Sequence, residues 1–151
     1  MGNRTSGFSV LELLMVVIIV GIMMAVAIPI LRNSSPKTAV RGAGDEISRL
    51  YATARATSIQ RGKTAWLVLN PTESTVMVTA MKVGAAGIDT IAKPDNLNTR
   101  YSVTFTDSND QLVFTPRGIG ANLTTTMVII SSTTGGIVDT VFIYPTGRIQ
   151  R

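Results

Sequence analysis

The sequence predicts an α+β protein: a long amino-terminal helix, membrane-spanning in its first half and amphipathic in its second, packed on an antiparallel β domain. Three observations predict it. From Leu13 to Ile28 every residue is apolar or glycine, and with Phe8 to Leu11 added the stretch is long enough to cross a membrane as a helix. Val40, Ala43, Ile47, Leu50 and Ala54 then recur at steps of three and four, which places them on one helical face. Beyond Lys63 the chain changes to short β-rich segments punctuated by turn residues. No helix lies between those segments to carry a parallel crossover, so the pairing is antiparallel.

Residues 1–7 form a polar leader with one positive charge, Arg4, ending in Gly7 before the aromatic Phe8. A secretory signal is cleaved after its apolar stretch, at a small-residue site. Here Ile28 is followed by Pro29-Ile30-Leu31-Arg32, which offers no such site; the other place to consider is before the apolar stretch, between Gly7 and Phe8. Glu12 then stands inside that stretch, four residues beyond the new terminus. A charge there costs roughly 2.5–3.5 kcal/mol at mid-bilayer and less near a helix end. The ammonium of a neighbouring subunit would offset it. A plain signal anchor explains the apolar run and Arg4, but neither Glu12 nor the Gly7–Phe8 junction. A soluble core helix would be shorter and less uniformly apolar.

Residues 8–31 are expected as the transmembrane or filament-core helix and residues 32–62 as an amphipathic stalk. Pro29 predicts a kink. Asn33-Ser34-Ser35-Pro36 predicts an interruption, with Ser35 as N-cap and Pro36 as the first residue of a new helix. Arg41, Asp45 and Arg49 are four apart on a solvent-facing side and predict weak ion pairs. Gly62 predicts the C-cap, with Arg61 at the negative end of the dipole.

Residues 63–151 are expected as the β domain. Residues 64–69 and 75–80 flank Asn70-Pro71-Thr72-Glu73 as a first hairpin. Residues 83–99, with Gly84, Gly87 and Pro94, read as an irregular loop. Residues 101–106 and 111–115 flank Asp107-Ser108-Asn109-Asp110 as a second hairpin, and 126–131 and 138–144 flank Thr133-Thr134-Gly135-Gly136 as a third. Pro145-Thr146-Gly147 turns into a short last strand, 148–150.

The 151 residues contain no cysteine, which excludes disulfides and thiol chemistry, and no histidine, which excludes a histidine base, a histidine metal site and a Ser-His-Asp triad. No glycine-rich phosphate loop opens a helix and no acidic cluster has calcium-loop spacing. The sequence therefore predicts a structural subunit rather than an enzyme, with no cofactor and no metal. Net charge is +5. It is concentrated in residues 32–63, where seven basic residues face two acidic ones. That cluster reads as a solvated helix face, or as a contact for anionic lipid headgroups or nucleic acid.

The leader Gly7-Phe8-Ser9-Val10-Leu11-Glu12-Leu13-Leu14 resembles the processing signal of type IV prepilins and pseudopilins. The likeness extends further. Residues 51–63 look like the end of the long helix in GspH/FimT-type pseudopilins. Leu112-Val113-Phe114-Thr115-Pro116-Arg117-Gly118 is similar to that family's strand and turn, and Tyr144-Pro145-Thr146-Gly147-Arg148 to its closing strand. The resemblance implies a minor subunit of a type II secretion pseudopilus or a type IV pilus. Prepilin peptidase would cleave after Gly7 and the nitrogen of Phe8 would be methylated. Glu12 would help set register against other pilin or pseudopilin subunits, assembled by an inner-membrane platform. The carboxyl-terminal domain would lie on the periplasmic side.

A second function class is a minor pilin that captures DNA for uptake. FimT-like receptors end in Gly-Arg-x-Arg; this chain has Gly147-Arg148-Ile149-Gln150-Arg151, with the second arginine displaced by one. In a strand, residues two apart share a face and residues three apart do not. Arg148, Arg151 and Arg117 are the candidate phosphate contacts.

Overall fold

The computed structural model describes residues 9–121, 124–146 and 148–150, with the side chains of residues 25–34 outside that description. The chain divides into two compact units, Met1–Ser35 and Pro36–Arg151. One helix, α1 (Val10–Arg61), contributes to both.

Helical backbone runs through Pro29 and through Asn33 to Pro36, which corrects the expected interruption and restart. A proline forfeits one hydrogen bond and displaces one carbonyl. The intact turns on either side sustain the helix. The carboxyl end follows the expectation: Lys63 N–H donates to the Ser58 carbonyl at 3.2 Å and Gly62 N–H to that of Ile59 at 3.3 Å. This is the double bond of a Schellman cap, and Gly62, at φ +58°, supplies the left-handed residue it requires.

In the second unit, β1 (Ala65–Asn70) and β2 (Thr75–Met81) form the expected hairpin, paired from Ala65–Ala80 to Asn70–Thr75. The loop expected over 83–99 is instead mostly regular. β3 (Ile88–Asn96) pairs with β2, with register irregularities around Val78. α2 (Leu97–Tyr101) follows, capped by the Asn96 side chain, which accepts from Thr99 N–H at 2.8 Å. Gly84 and Gly87 make the tip of a hairpin, and Pro94 is tolerated because β3 is an edge strand.

The second expected hairpin does not form. β4 (Val103–Asp107) pairs with β6 (Thr126–Ser132), while β5 (Gln111–Phe114) pairs with β1. The link between them passes from one sheet to the other, and its polar groups bind both. Asn109 Nδ2 donates to Thr126 Oγ1 at 2.9 Å, Met127 N–H to Ser108 Oγ at 3.0 Å, and Leu69 N–H to the Asp110 carbonyl at 2.8 Å. The third hairpin is as expected: β7 (Val138–Ile143) pairs with β6, and β8 (Ile149–Gln150) closes on β7.

The result is two four-stranded sheets, ordered β3-β2-β1-β5 and β4-β6-β7-β8. The apolar stripe of α1 packs against the inner residues of both. Val40, Ala43, Ile47, Leu50 and Ala54 are each at most 1% exposed. They share one core with Leu67, Val76, Val78 and Phe114 from the first sheet and Val103, Phe105, Val128, Ile130, Val141 and Ile143 from the second. Each large aliphatic side chain buried there contributes about 1.5–3 kcal/mol. Tyr101 lies over Gly42, where a Cβ would stand 2.8 Å from the ring, so α2 approaches α1 at a residue without a side chain.

Candidate functional site

The first candidate surface is the start of α1. Ser9 opens the helix: its side-chain oxygen accepts from Leu11 N–H at 3.3 Å and its carbonyl from Leu13 N–H at 3.1 Å. Ser9-Val10-Leu11-Glu12 has the spacing of a capping box, and Glu12 sits in the first turn, where a negative charge favours the helix dipole. This placement of Glu12 in the first turn went unread in the sequence, although the serine three residues before it was the available signal. Glu12 is exposed, and so is every residue from Val10 to Met24. Exposure of the large apolar residues there runs from 43% at Val20 to 83% at Val10. A helix apolar all round is stable only when something else covers it. Among the described residues no helix is long and apolar enough to cross a membrane. Gly7 and Phe8 lie outside the described residues.

The second candidate surface is the basic part of α1, and the structure assigns several of its arginines to the fold. Arg49 Nε donates to Glu46 Oε2 at 2.8 Å, a pairing the sequence reading did not assign. Glu46 is 8% exposed. Its carboxyl is held below the ordinary glutamate range, first by the hydrogen bonds from Arg49 and then by the charges of Arg49 and Arg100, against an opposing cost of burial. Arg100 in turn pairs with Asp95 at 2.8 Å, so this network joins α1 to β3 and α2. Arg61 pairs with Asp89 of β3 at 3.0 Å. Arg55 Nε donates to the Gly118 carbonyl at 3.0 Å. Gly118 has φ +73°, and a Cβ there would stand 2.6 Å from Ile59 Cδ1, so only glycine lets this turn rest on the helix. Lys37 and Arg41 line a cavity of about 190 Å³ with Val40, Ile137, Val138 and Asp139.

The third is the carboxyl-terminal arginine set. Arg117 and Arg148 are exposed, and no carboxylate pairs with either among the described residues; Arg151 lies outside them. Their chain neighbours Gly118 and Ile149 both adjoin the same stretch of α1. Ile149 lines a shallow groove of about 380 Å³ with Tyr51, Ala52, Arg55, Ala56 and Ile59. Arg148 immediately precedes Ile149 of β8. Among the described residues no cluster of three or more metal-ligating side chains occurs.

A long helix with an exposed apolar start, its later turns packed on antiparallel sheets, is the architecture of the type IV pilin-like and pseudopilin fold. Solved structures bear this out. The chain is similar to the type IV minor pilin FimU of Pseudomonas aeruginosa, with 18% identity over 76% of this chain and 88% of that one at a TM-score of 0.57. It is also similar to the minor pseudopilin EpsH from the type 2 secretion system of Vibrio cholerae, with 11% identity over 77% and 94% of the two chains at a TM-score of 0.51. No protein-family model and no curated protein matches the sequence.

Proposed function

We propose that this chain is a minor subunit of a type IV pilus or a type II secretion pseudopilus, a structural role and not a catalytic one. The observation that carries the reading is the exposed apolar start of α1, with a carboxylate in its first turn, on a chain with a pilin-like fold. Such a surface needs a bilayer before assembly and other helices after it. Residues 1–7 are the leader, residues 8–31 a single-pass inner-membrane and filament-core helix, residues 32–62 the stalk, and residues 63–151 a periplasmic β domain. Prepilin peptidase cuts between Gly7 and Phe8, Phe8 is N-methylated, and an inner-membrane platform assembles the subunit with other pilins through Glu12. Mass spectrometry of membrane-extracted protein tests this: mature chains begin at a methylated Phe8. An intact Met1 terminus in cells that process their other pilins would overturn it.

The second reading, capture of DNA, draws on Arg117 and Arg148, which are exposed without carboxylate partners among the described residues. Duplex binding by those residues with Arg151 would fall with salt at a log–log slope of about −0.9 per phosphate contact. Arg148→Gln with Arg151→Gln would flatten that slope by roughly two units. A double variant that binds like the parent would leave the structural reading alone.

A further inference from the structure

The hairpin tip between β2 and β3 is the longest fully exposed segment of the second unit that the pilin-like reading does not use. All eight residues from Met81 to Ile88 are exposed. The tip is also mostly apolar: Met81 is 43%, Val83 64% and Ile88 62% exposed, with Ala85 and Ala86 between them. A run of consecutive exposed apolar residues is a solubility fault unless it has a use.

The tip is built rather than loose. Lys82 N–H donates to the Gly87 carbonyl at 3.0 Å, and Met81 N–H to the Thr64 carbonyl at 2.9 Å. Gly84 at φ +77° and Gly87 at φ +121° supply the left-handed residues of the turn. One residue behind the tip, Asp89 is tied to Arg61 at the end of α1. That ion pair uses the nearby carboxylate, while Lys82 and Lys63 stay exposed and have no carboxylate partner among the described residues. Lys63 precedes Thr64, whose carbonyl holds Met81, so Lys63 and Lys82 both lie on backbone that borders the apolar tip.

We propose that this tip is a membrane-contact element that inserts Val83 and its apolar neighbours into an anionic lipid surface. The charge is complementary to anionic headgroups, which attract each nearby lysine by about 1 kcal/mol. The shape favours lipid over a protein partner. The tip is a two-strand turn with no aromatic residue between Met81 and Ile88, whereas stable protein interfaces bury about 1,200–2,000 Å² around aromatic anchors. A bilayer needs only a few projecting apolar side chains flanked by cations.

The absence of native cysteine allows single-site labelling of the full chain. Full-length Val83→Cys, held in discs of zwitterionic lipid, carries an environment-sensitive fluorophore, and protein-free vesicles containing phosphatidylglycerol are added. The expected result is a fluorescence rise at position 83 that is absent with pure phosphatidylcholine vesicles and absent from a label at Thr104→Cys, an exposed position of β4. Lys63→Glu with Lys82→Glu should weaken vesicle affinity about tenfold or more. Labels at 83 and 104 that respond alike would overturn the proposal, as would equal response to neutral vesicles. No response at 83, together with loss of partner-subunit binding in Val83→Asp, would assign the tip to a protein instead. The filament reading is tested by processing at Phe8 and stands or falls separately.

Discussion

Tyr51 of α1 meets Phe114 of β5 edge to face, with ring centroids 5.0 Å apart and 75° between the planes. Tyr51 is 3% and Phe114 1% exposed. The same burial raises the Tyr51 hydroxyl above the ordinary tyrosine range, with Arg55 opposing. The contact joins the helix to the strand that follows the inter-sheet link, so it holds a long-range part of the topology. Phe114→Ala should cost about 3–5 kcal/mol. A double-mutant cycle with Tyr51→Leu and Phe114→Leu should give a coupling of about 0.5–1.5 kcal/mol. Denaturant unfolding reads both, and additive single variants would remove the special standing of this pair.

The pH dependence of stability should have two opposed components. Glu46 has a folded pKa below its ordinary value of 4.5. Its contribution is present above that value and is lost as pH falls through the folded pKa. Asp107 behaves in the reverse sense. Its pKa is raised above 3.8, first by burial and then by the charge of Asp110, and its Oδ2 is buried without a hydrogen-bond partner among the described residues. That contribution is full below the ordinary value and is lost as pH rises through the raised one. Glu46→Gln should therefore cost about 1–2 kcal/mol near neutral pH and little in acid. Asp107→Asn should raise Tm near neutral pH and do nothing once the parent carboxyl is protonated. Thermal unfolding across that range decides, and pH-independent effects of either variant would contradict the assignment.

A chain beginning at Pro36 should fold as a soluble monomer. The stripe at Val40, Ile47 and Leu50 is buried within the second unit, and the exposed apolar residues from Val10 to Met24 are absent from such a chain. Cooperative unfolding with sedimentation as a monomer is the expected outcome. An aggregating or molten product would mean that the stripe needs partners from outside the unit.

What could be read from the sequence followed from local rules. The stripe from Val40 to Ala54 is a 3.6-residue period, and Gly62 is a helix-end signal; both are fixed within a few residues. The two correct hairpins have turns that bring their own strands together. The error at Asp107–Asp110 has a different origin. Val103, Phe105, Leu112 and Phe114 alternate correctly whether β4 pairs with β5 or with β6, so alternation gives the buried face and not the partner. The Glu46–Arg49–Arg100–Asp95 network was illegible for a similar reason. Arg100 lies on α2, one residue past the segment read as loop, and its approach to Glu46 exists only after the sheets are assembled. The edge position of β3, which excuses Pro94, is likewise a property of the whole sheet.

Glu12 offers the sharpest separation of local from intersubunit function. Its position three residues after Ser9 has the spacing of a capping box and puts its charge in the first turn of its own helix, and that charge among exposed apolar residues suits the ammonium of a neighbour. Glu12→Ala removes both. Membrane insertion should survive, because a charge has been taken out of the bilayer. Glu12→Gln removes the charge but keeps a side chain that can complete a capping box. If the carboxylate serves assembly, both variants should insert normally and both should fail to co-purify with partner subunits. If its role is only the cap, Glu12→Gln should assemble like the parent while Glu12→Ala loses about 0.5–1 kcal/mol of helix stability. Co-purification of the glutamine variant at parental levels would therefore remove Glu12 from the assembly surface.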